Sequence, residues 1–476
     1  MTSRQVMALF VLCLAVFMVA VDGTVISVAV PAITAELSPS YNQVLWIGDI
    51  YSFVLAGLLI TMGNLGDRIG RKRLLLIASV AFGVASAAAA AAPTAGVLIA
   101  ARVVQGLAGA GLMPSTLALL RTVFSDERQR MRAVGIWSAS GAAGAAMGPT
   151  VAGLLLEHFY WGSVLLVNLP VVALIVGVGV VALPEARSEA RHPLDPLSVV
   201  YSTVGILGVV YGITELAHAG LANRPAYLAL AAGSLLLWVF LRRQRRLPVP
   251  LLDLQLFSSA RFSAAIVAEL VIVFANIGAL FFLPIFLRQV AGFSPLQSGM
   301  STLPESIVSL VTASAAARLV GRWGRRRTLL VGLAAGSAGL ILLGLAIPVS
   351  YAAMVVPLML MGFSFGSVVT VAADLVLTGA SADRVGAATG ISETSFELGT
   401  ALGIALTGSA VSVLYILFSG SRADFGASVE PRAFTLSLGA DCVIVGILLA
   451  LATVAISRML RGDETASAAV ESPGSR

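Results

Sequence analysis

The sequence predicts an all-α polytopic membrane protein with fourteen transmembrane helices arranged as six, two and six, both termini on the cytoplasmic side. Three observations carry this. Of 476 residues, 58% are hydrophobic and 11% charged, against about 25% charged in an average soluble domain, and the mean hydropathy is +0.96. So few charges cannot form a polar shell, and the apolar surplus must face lipid. The apolar residues also fall into continuous stretches, unlike the alternating pattern of a barrel strand. Finally, the basic residues sort to one side.

The stretches run near residues 7–31, 43–64, 73–93, 95–119, 133–155, 162–184, 196–216, 226–241, 263–287, 296–317, 328–348, 351–378, 388–418 and 433–457. A stretch of about 20 residues covers a hydrocarbon core of about 30 Å. The first is too long, and lacks the A-x-A site, for a removable signal peptide, so it is expected to stay in the mature protein. An even count puts both termini on one side. That side's loops collect twenty-five of the thirty lysines and arginines, dense at 68–73, 121–132, 242–246 and 318–327. The positive-inside rule makes that side cytoplasmic. These loops, facing anionic lipid, account for the net charge of +6, and no nucleic-acid partner is implied.

Cys13 and Cys442 lie in apolar stretches at opposite ends of the chain and suggest neither a metal site nor a disulfide framework. His158, His192 and His218 fall in loops or at helix ends, so proton chemistry at membrane depth is left to carboxylates. No cofactor is implied. The sequence has no Gly-x-x-x-x-Gly-Lys-Ser/Thr loop for a nucleotide, which leaves an ion gradient as the energy source.

An internal repeat organises the chain. The stretch from Asp67 to Arg73 recurs 254 residues later from Gly321 to Arg327. Gly135-Ile136, Gly144 and Gly148 recur as Gly390-Ile391, Gly399 and Gly403 at an offset of 255. Duplicated halves around a cavity are a transporter architecture. The expected units are a six-helix bundle at 1–190, an inserted helix pair at 191–250, a second six-helix bundle at 251–462, and a disordered cytoplasmic tail at 463–476.

Charges inside the spans carry the chemistry. Asp22, Asp49, Glu215, Glu269, Glu305, Asp374, Glu393, Glu397 and Asp441 lie in spans or at their edges, with Arg102 the lone base. Each costs at least about 2.5–3.5 kcal/mol at a helix centre, so it should face a cavity or a partner. Nine acids cannot all pair with one arginine, and the surplus makes an interior that attracts cations and holds protons. Asp22 and Arg102 fall at similar depth on the first and fourth spans, which marks them as a proton-coupling pair. Glu393 and Glu397 are one turn apart and share a face, where each raises the other's proton affinity, and they join Asp22 and Arg102 as proton-coupling candidates. Glu215 and Asp441 are expected at the membrane interface. Asp49, Glu269, Glu305 and Asp374 are candidate substrate-binding acids, and Trp46, Tyr51, Trp137, Phe274 and Phe396 are aromatics that could stack on flat cations. From Gly141 to Gly153 the fifth span has almost no bulk, which admits a neighbouring backbone, and Pro149 removes one helical hydrogen bond.

Gly63-Asn64-Leu65-Gly66-Asp67-Arg68-Ile69-Gly70-Arg71-Lys72-Arg73 resembles the signature of the major facilitator superfamily between its second and third helices. Arg102-Val103-Val104-Gln105-Gly106 in the fourth span resembles the family's buried-arginine motif. Gly144, Gly148-Pro149 and Gly153 resemble its antiporter motif, with Ala152 departing from the usual glycine. Together with Asp22-Gly23-Thr24-Val25, Leu45 to Tyr51 and Asn168-Leu169-Pro170, these are similar to the fourteen-span drug:proton antiporters of the QacA type. That type has a long external segment between its last two helices, whereas residues 419–432 leave a short loop here.

The resemblance implies a major facilitator fold and a cytoplasmic gate at Gly63, Gly66, Asp67, Arg68, Gly70 and Arg71. It further implies a sealing role for Gly144, Gly148, Pro149 and Gly153, and paired acids at the positions of Glu393 and Glu397, with a further acid near Glu305. The expected protein is a monomeric, multi-pass transporter of the inner membrane that exports cationic amphipathic compounds in exchange for protons, with membrane lipids as its surroundings. The alternatives are a self-resistance exporter of a non-cationic antibiotic, a nutrient symporter and a membrane-embedded enzyme.

Overall fold

The computed structural model describes residues 2–185, 195–219, 223–247, 250, 252, 254–379, 385–420 and 429–470, and among them every element is helical. In chain order these are α1 (Ser3–Leu37), α2 (Tyr41–Ile69), α3 (Arg71–Ala90), α4 (Ala95–Val123), α5 (Glu127–His158), α6 (Ser163–Leu166), α7 (Asn168–Ala182), α8 (Pro196–Ala219) and α9 (Arg224–Gln244). A short 3₁₀ turn, Leu254–Ser258, leads into α10 (Ala260–Gln289), α11 (Pro295–Met300), α12 (Leu303–Trp323), α13 (Arg325–Ala346), α14 (Tyr351–Gly379), α15 (Val385–Ser419) and α16 (Pro431–Val470).

Local chemistry sets where these helices begin. Thr2 with Gln5, Ser40 with Gln43 and Ser294 with Gln297 close capping boxes on α1, α2 and α11, satisfying amides that would otherwise be orphaned. Thr94, Asp126 and Ser259 cap α4, α5 and α10 with single side-chain bonds. Thirteen helices among the described residues combine the length and hydropathy that a span needs. The expected span at 296–317 falls on α11 and α12, of which α12 has 21 residues, a rise of about 31 Å. The sixth expected span is likewise broken, into α6 and α7 at Val167. Helix α16 continues to Val470, into the stretch expected as a tail, and residues 471–476 lie outside the described residues.

The sequence repeat is repeated geometry. Gly70 ends α2 and begins α3 with a φ of 105°, and Gly324 does the same between α12 and α13 with a φ of 79°. Each is a position where a side chain would strain the turn. Within the first half Gly144 and Gly148 press α5 against α1, where a side chain would meet the Phe17 carbonyl and Thr24. Within the second half Gly399 and Gly403 press α15 against α10, meeting the Leu270 and Phe274 carbonyls. The fifth helix of each half thus packs on the first through the same two glycines.

The end of the bundle bearing Gly70 and Gly324 and their arginines is the basic end; the other is the far end. Two main seams join α1–α7 to α10–α16, and α1 also touches α10. Along α2 and α15, Leu45 fills the space left by Gly408, and Gly48 leaves room for Phe281 of α10. Along α5 and α11, Gly153 lies against the backbone of Pro295 and Leu296, and Gly299 against the Pro149 carbonyl. All four contacts sit in the far-end halves of their helices. The pair α8 and α9 packs on itself through Gly205, Gly208, Gly212 and Gly233, and α8 lies against α2 and α15.

At the basic end of this pair, Arg243 binds Asp195 through Nε at 3.1 Å and Nη2 at 3.0 Å. Partial burial raises the Asp195 carboxyl, but hydrogen bonds from Arg243 and Ser198 more than offset this and hold it below its ordinary value.

Candidate functional site

Helices α1, α3, α4 and α7 converge on Asp22. Arg102 Nη1 donates to Asp22 Oδ2 at 2.5 Å, and the two side chains are 1% and 0% exposed. Asp22 Oδ1 accepts from Gln105 Nε2 at 3.1 Å and from Asn168 Nδ2 at 2.8 Å. Both amides also donate to Ser86, at 2.9 and 3.1 Å. The break between α6 and α7 puts Asn168 at the first turn of α7, and Gln105 lies one turn beyond Arg102, so both reach one carboxylate. The Arg102 guanidinium lies over the Tyr51 ring, 4.5 Å from its centroid. The site is a sealed ion pair with neutral donors on its remaining oxygen, the arrangement a buried charge pair needs if it is not to destabilise the fold.

The second half is built differently. Glu305, on the first turn of α12, accepts from Asn276 Nδ2 of α10 at 3.2 Å and from Ser306 Oγ at 3.2 Å. Glu269 accepts from Ser392 Oγ at 2.5 Å, and Glu393 is the next residue along α15. Glu397 lies beside Ser52 of α2, across the seam. Glu269 and Glu305 are buried, Glu393 and Glu397 half-buried. Among the described residues, none of these four acids is ion-paired with a base. Bases are available at the basic end, but there they serve Asp374, which is 44% exposed and bound to Arg325 at 2.6 Å. The structure therefore places Asp374 at the rim, apart from the interior acids with which the sequence groups it.

Two further acids are buried near the far end. Asp49 and Asp441 are 2% and 1% exposed, and Oδ1 of each lacks a hydrogen-bond partner among the described residues. Asp441 is thus a core residue and not the interfacial one expected, because α16 packs on α10, α13 and α15. Glu215 is a link between elements: it accepts from Asn42 of α2 at 2.5 Å and Asn223 at 3.1 Å.

The candidate aromatics divide. Trp46 stacks at a tilt on Tyr211 of α8, 6.4 Å between centroids. Trp137 Nε1 donates to Thr116 of α4 at 3.2 Å. Phe396 meets Phe365 edge-on at 6.2 Å, the Phe274 backbone receives Gly403, and Tyr51 is buried against Arg102 and Phe82. In the gate loop, Gly66 lies against Leu74, Gly63 faces Pro114, Gly70 makes the turn, Arg68 is exposed and Arg71 half-buried. The side chain of Asp67 lies outside the described residues. Of the antiporter-motif residues, Gly144 and Gly148 face α1, and Pro149 and Gly153 face the other half.

Sequence reasoning did not assign Ser86, Gln105, Asn168, Ser52, Asn276 or Ser392 to the site. Their signal was present as amides and hydroxyls inside apolar stretches, one turn from a charge in the case of Gln105. Among the described residues no group of three histidine, cysteine, aspartate or glutamate side chains is placed to hold a metal ion.

Residues 12–404 match the family model described as Major Facilitator Superfamily. The chain is 39% identical over 431 residues to the multidrug efflux pump LfrA of Mycolicibacterium smegmatis, covering 90% of this chain and 84% of that one. It is 36% identical to the methyl viologen resistance protein SmvA of Salmonella typhimurium, covering 86% and 83%. Identity to the tetracenomycin C resistance and export protein of Streptomyces glaucescens is 33%, covering 84% and 74%. The fold is similar to that of a bacterial homolog of the human lysosomal transporter Spinster, with a TM-score of 0.68, 16% identity and coverage of 97% and 99%.

Proposed function

This chain belongs to the major facilitator superfamily, a multi-pass membrane transporter and not an enzyme, and from that premise we propose that it exports lipophilic cations in exchange for protons. The observation that carries this reading is the set Glu269, Glu305, Glu393 and Glu397, interior carboxylates of which none is ion-paired among the described residues, Glu269 and Glu305 having neutral hydrogen-bond partners. Such a carboxylate is stable in a low-dielectric interior when it carries a proton or holds a cation. Proton and cation then compete for the same oxygens.

The cycle follows. In fourteen spans with the basic end cytoplasmic, an amphipathic cation enters from the cytoplasm or inner leaflet and displaces protons from the second-half acids. The halves rock about the α2–α15 and α5–α11 seams, opening the far end. Protons arriving from outside release the cation, and one that protonates Asp22 frees it from Arg102 as the return signal. Moving one charge against 100 mV costs about 2.3 kcal/mol. A monovalent cation exchanged for one proton therefore uses only the pH gradient, and a divalent one needs two or more protons, which several acids allow. The relative named for methyl viologen, a flat organic dication, supports this substrate class. The protein acts as a monomer.

The test is ethidium movement in inverted membrane vesicles acidified inside and then treated with an uncoupler. Uptake that collapses with the gradient supports the reading, and Asp22→Asn is expected to abolish the gradient dependence. No gradient-dependent movement of ethidium or a quaternary ammonium dye contradicts cation export. A second reading, a self-resistance exporter of a non-cationic antibiotic, is motivated by the relative named for tetracenomycin C; it predicts transport of such an antibiotic that ethidium does not inhibit.

A further inference from the structure

The Asp22–Arg102 pair and the α15 carboxylates belong to different halves, yet two adjacent residues of α2 touch both. The Tyr51 ring carries the Arg102 guanidinium on its face. Helix α4 clamps it there: Gly106 makes room for the Tyr51 carbonyl, and Gly109 for the Tyr51 hydroxyl. Phe82 closes the other side, edge-on at 6.4 Å. Next in sequence, buried Ser52 lies beside Glu397, where α2 runs along α15.

The two stacked groups each carry an unsatisfied polar atom. Arg102 Nε and the Tyr51 hydroxyl are both buried and without a hydrogen-bond partner among the described residues. A buried donor and a buried acceptor left unpaired beside each other point to a second arrangement in which they pair.

We propose that Tyr51 is a positioning residue that transmits the charge state of Asp22 across the seam to Glu397. With Asp22 ionised, Arg102 is held to it through Nη1. A proton on Asp22 removes that hold, and the guanidinium, retained on the ring face, turns its Nε–H to the Tyr51 hydroxyl. The Tyr51 backbone moves with it, and Ser52 shifts against Glu397. Only the one proton moves; no other bond is made or broken. This assigns Tyr51 to the coupling between sites and not to stacking on substrate, and it rests on the reading of Asp22 as a proton acceptor.

The test uses the full chain, purified and reconstituted in proteoliposomes, with ethidium as the probe in two modes: uptake driven by a pH gradient, and ethidium counterflow with no gradient. Tyr51→Phe keeps the ring and removes the hydroxyl. It is expected to lower driven uptake about tenfold while leaving counterflow within about twofold. Ser52→Ala is expected to show the same split, and Asp22→Asn/Tyr51→Phe to be no worse than Asp22→Asn alone, as members of one pathway behave. Wild-type driven uptake in both Tyr51→Phe and Ser52→Ala, or equal losses in both modes, overturns the relay. Asp22→Asn that retains driven uptake removes the coupling reading itself; Asp22→Asn that uncouples while Tyr51→Phe does not removes only the relay.

Discussion

The two halves share a backbone and differ in their charges. In the first, Asp22 is sealed, with Arg102, Gln105 and Asn168 satisfying both oxygens. In the second, Glu269 and Glu305 occupy equally buried ground with only serine and asparagine beside them. In the proposed cycle the pair with its own counterion is a latch that breaks when protonated, whereas the acids with neutral partners are vacancies for a cation or a proton. Duplication supplied the common frame, visible in Gly70 and Gly324, and the side chains diverged into an ion-paired set and a set without a base.

The comparison breaks most severely at Arg102. Arg102→Ala leaves Asp22 buried without its base, expected to cost about 3–5 kcal/mol and to be read as a large drop in the thermal unfolding midpoint in detergent. Adding Asp22→Asn is expected to restore most of that stability without restoring transport. Recovery of neither contradicts the latch.

Next in size is Gly153→Val, because a side chain there meets the Pro295 carbonyl at the α5–α11 seam. Transport is expected to fall by about tenfold or more while the unfolding midpoint changes less than in Gly148→Val, which strains α5 against α1 inside one half. The reverse order of stabilities contradicts the division between intra-half and inter-half glycines.

Glu305→Gln and Glu269→Gln sharpen the other side. Both keep the size and a hydrogen-bonding oxygen, so stability is expected to stay within about 1 kcal/mol. Transport of a dication such as methyl viologen is expected to fall more than that of monovalent ethidium, measured in the same vesicles. Equal effects on both contradict charge counting by these acids.

Asp374→Asn gives the smallest effect, about 0–1 kcal/mol for a half-exposed pair, with transport unchanged. Asp195 lies between: its folded carboxyl is held below the ordinary value, so its contribution is full above a pH of about 3.9 and fades as pH falls through the folded value. Asp195→Asn is therefore expected to lower stability at pH 7, by an amount that shrinks as the pH is taken below about 3.9.

Spans, repeat and charge sorting were legible because they depend on hydropathy and count, which the sequence states directly. The depth match of Asp22 and Arg102 follows from 1.5 Å per residue, and the structure joins them at 2.5 Å. What the sequence withheld is rotation about each helix axis. A continuously apolar span has no strong face, so nothing in it tells whether Asp441 looks to lipid or to α10, or that Asn276 rather than a base meets Glu305. Asp374 carried the same cost as the other acids in sequence, yet the turn of Gly324 swings Arg325 to its side. The break at Val167 was also hidden inside an apolar run, whereas the one between α11 and α12 falls at the polar Ser301-Thr302.

The central claim is that cations and protons compete for the second-half carboxylates. It is tested most directly by adding methyl viologen to the purified protein in weakly buffered solution near pH 7 and following proton release with a pH-sensitive dye. The account predicts release of at least about one proton per bound cation, diminished in Glu305→Gln and Glu269→Gln. Saturable binding of methyl viologen with no proton released contradicts it.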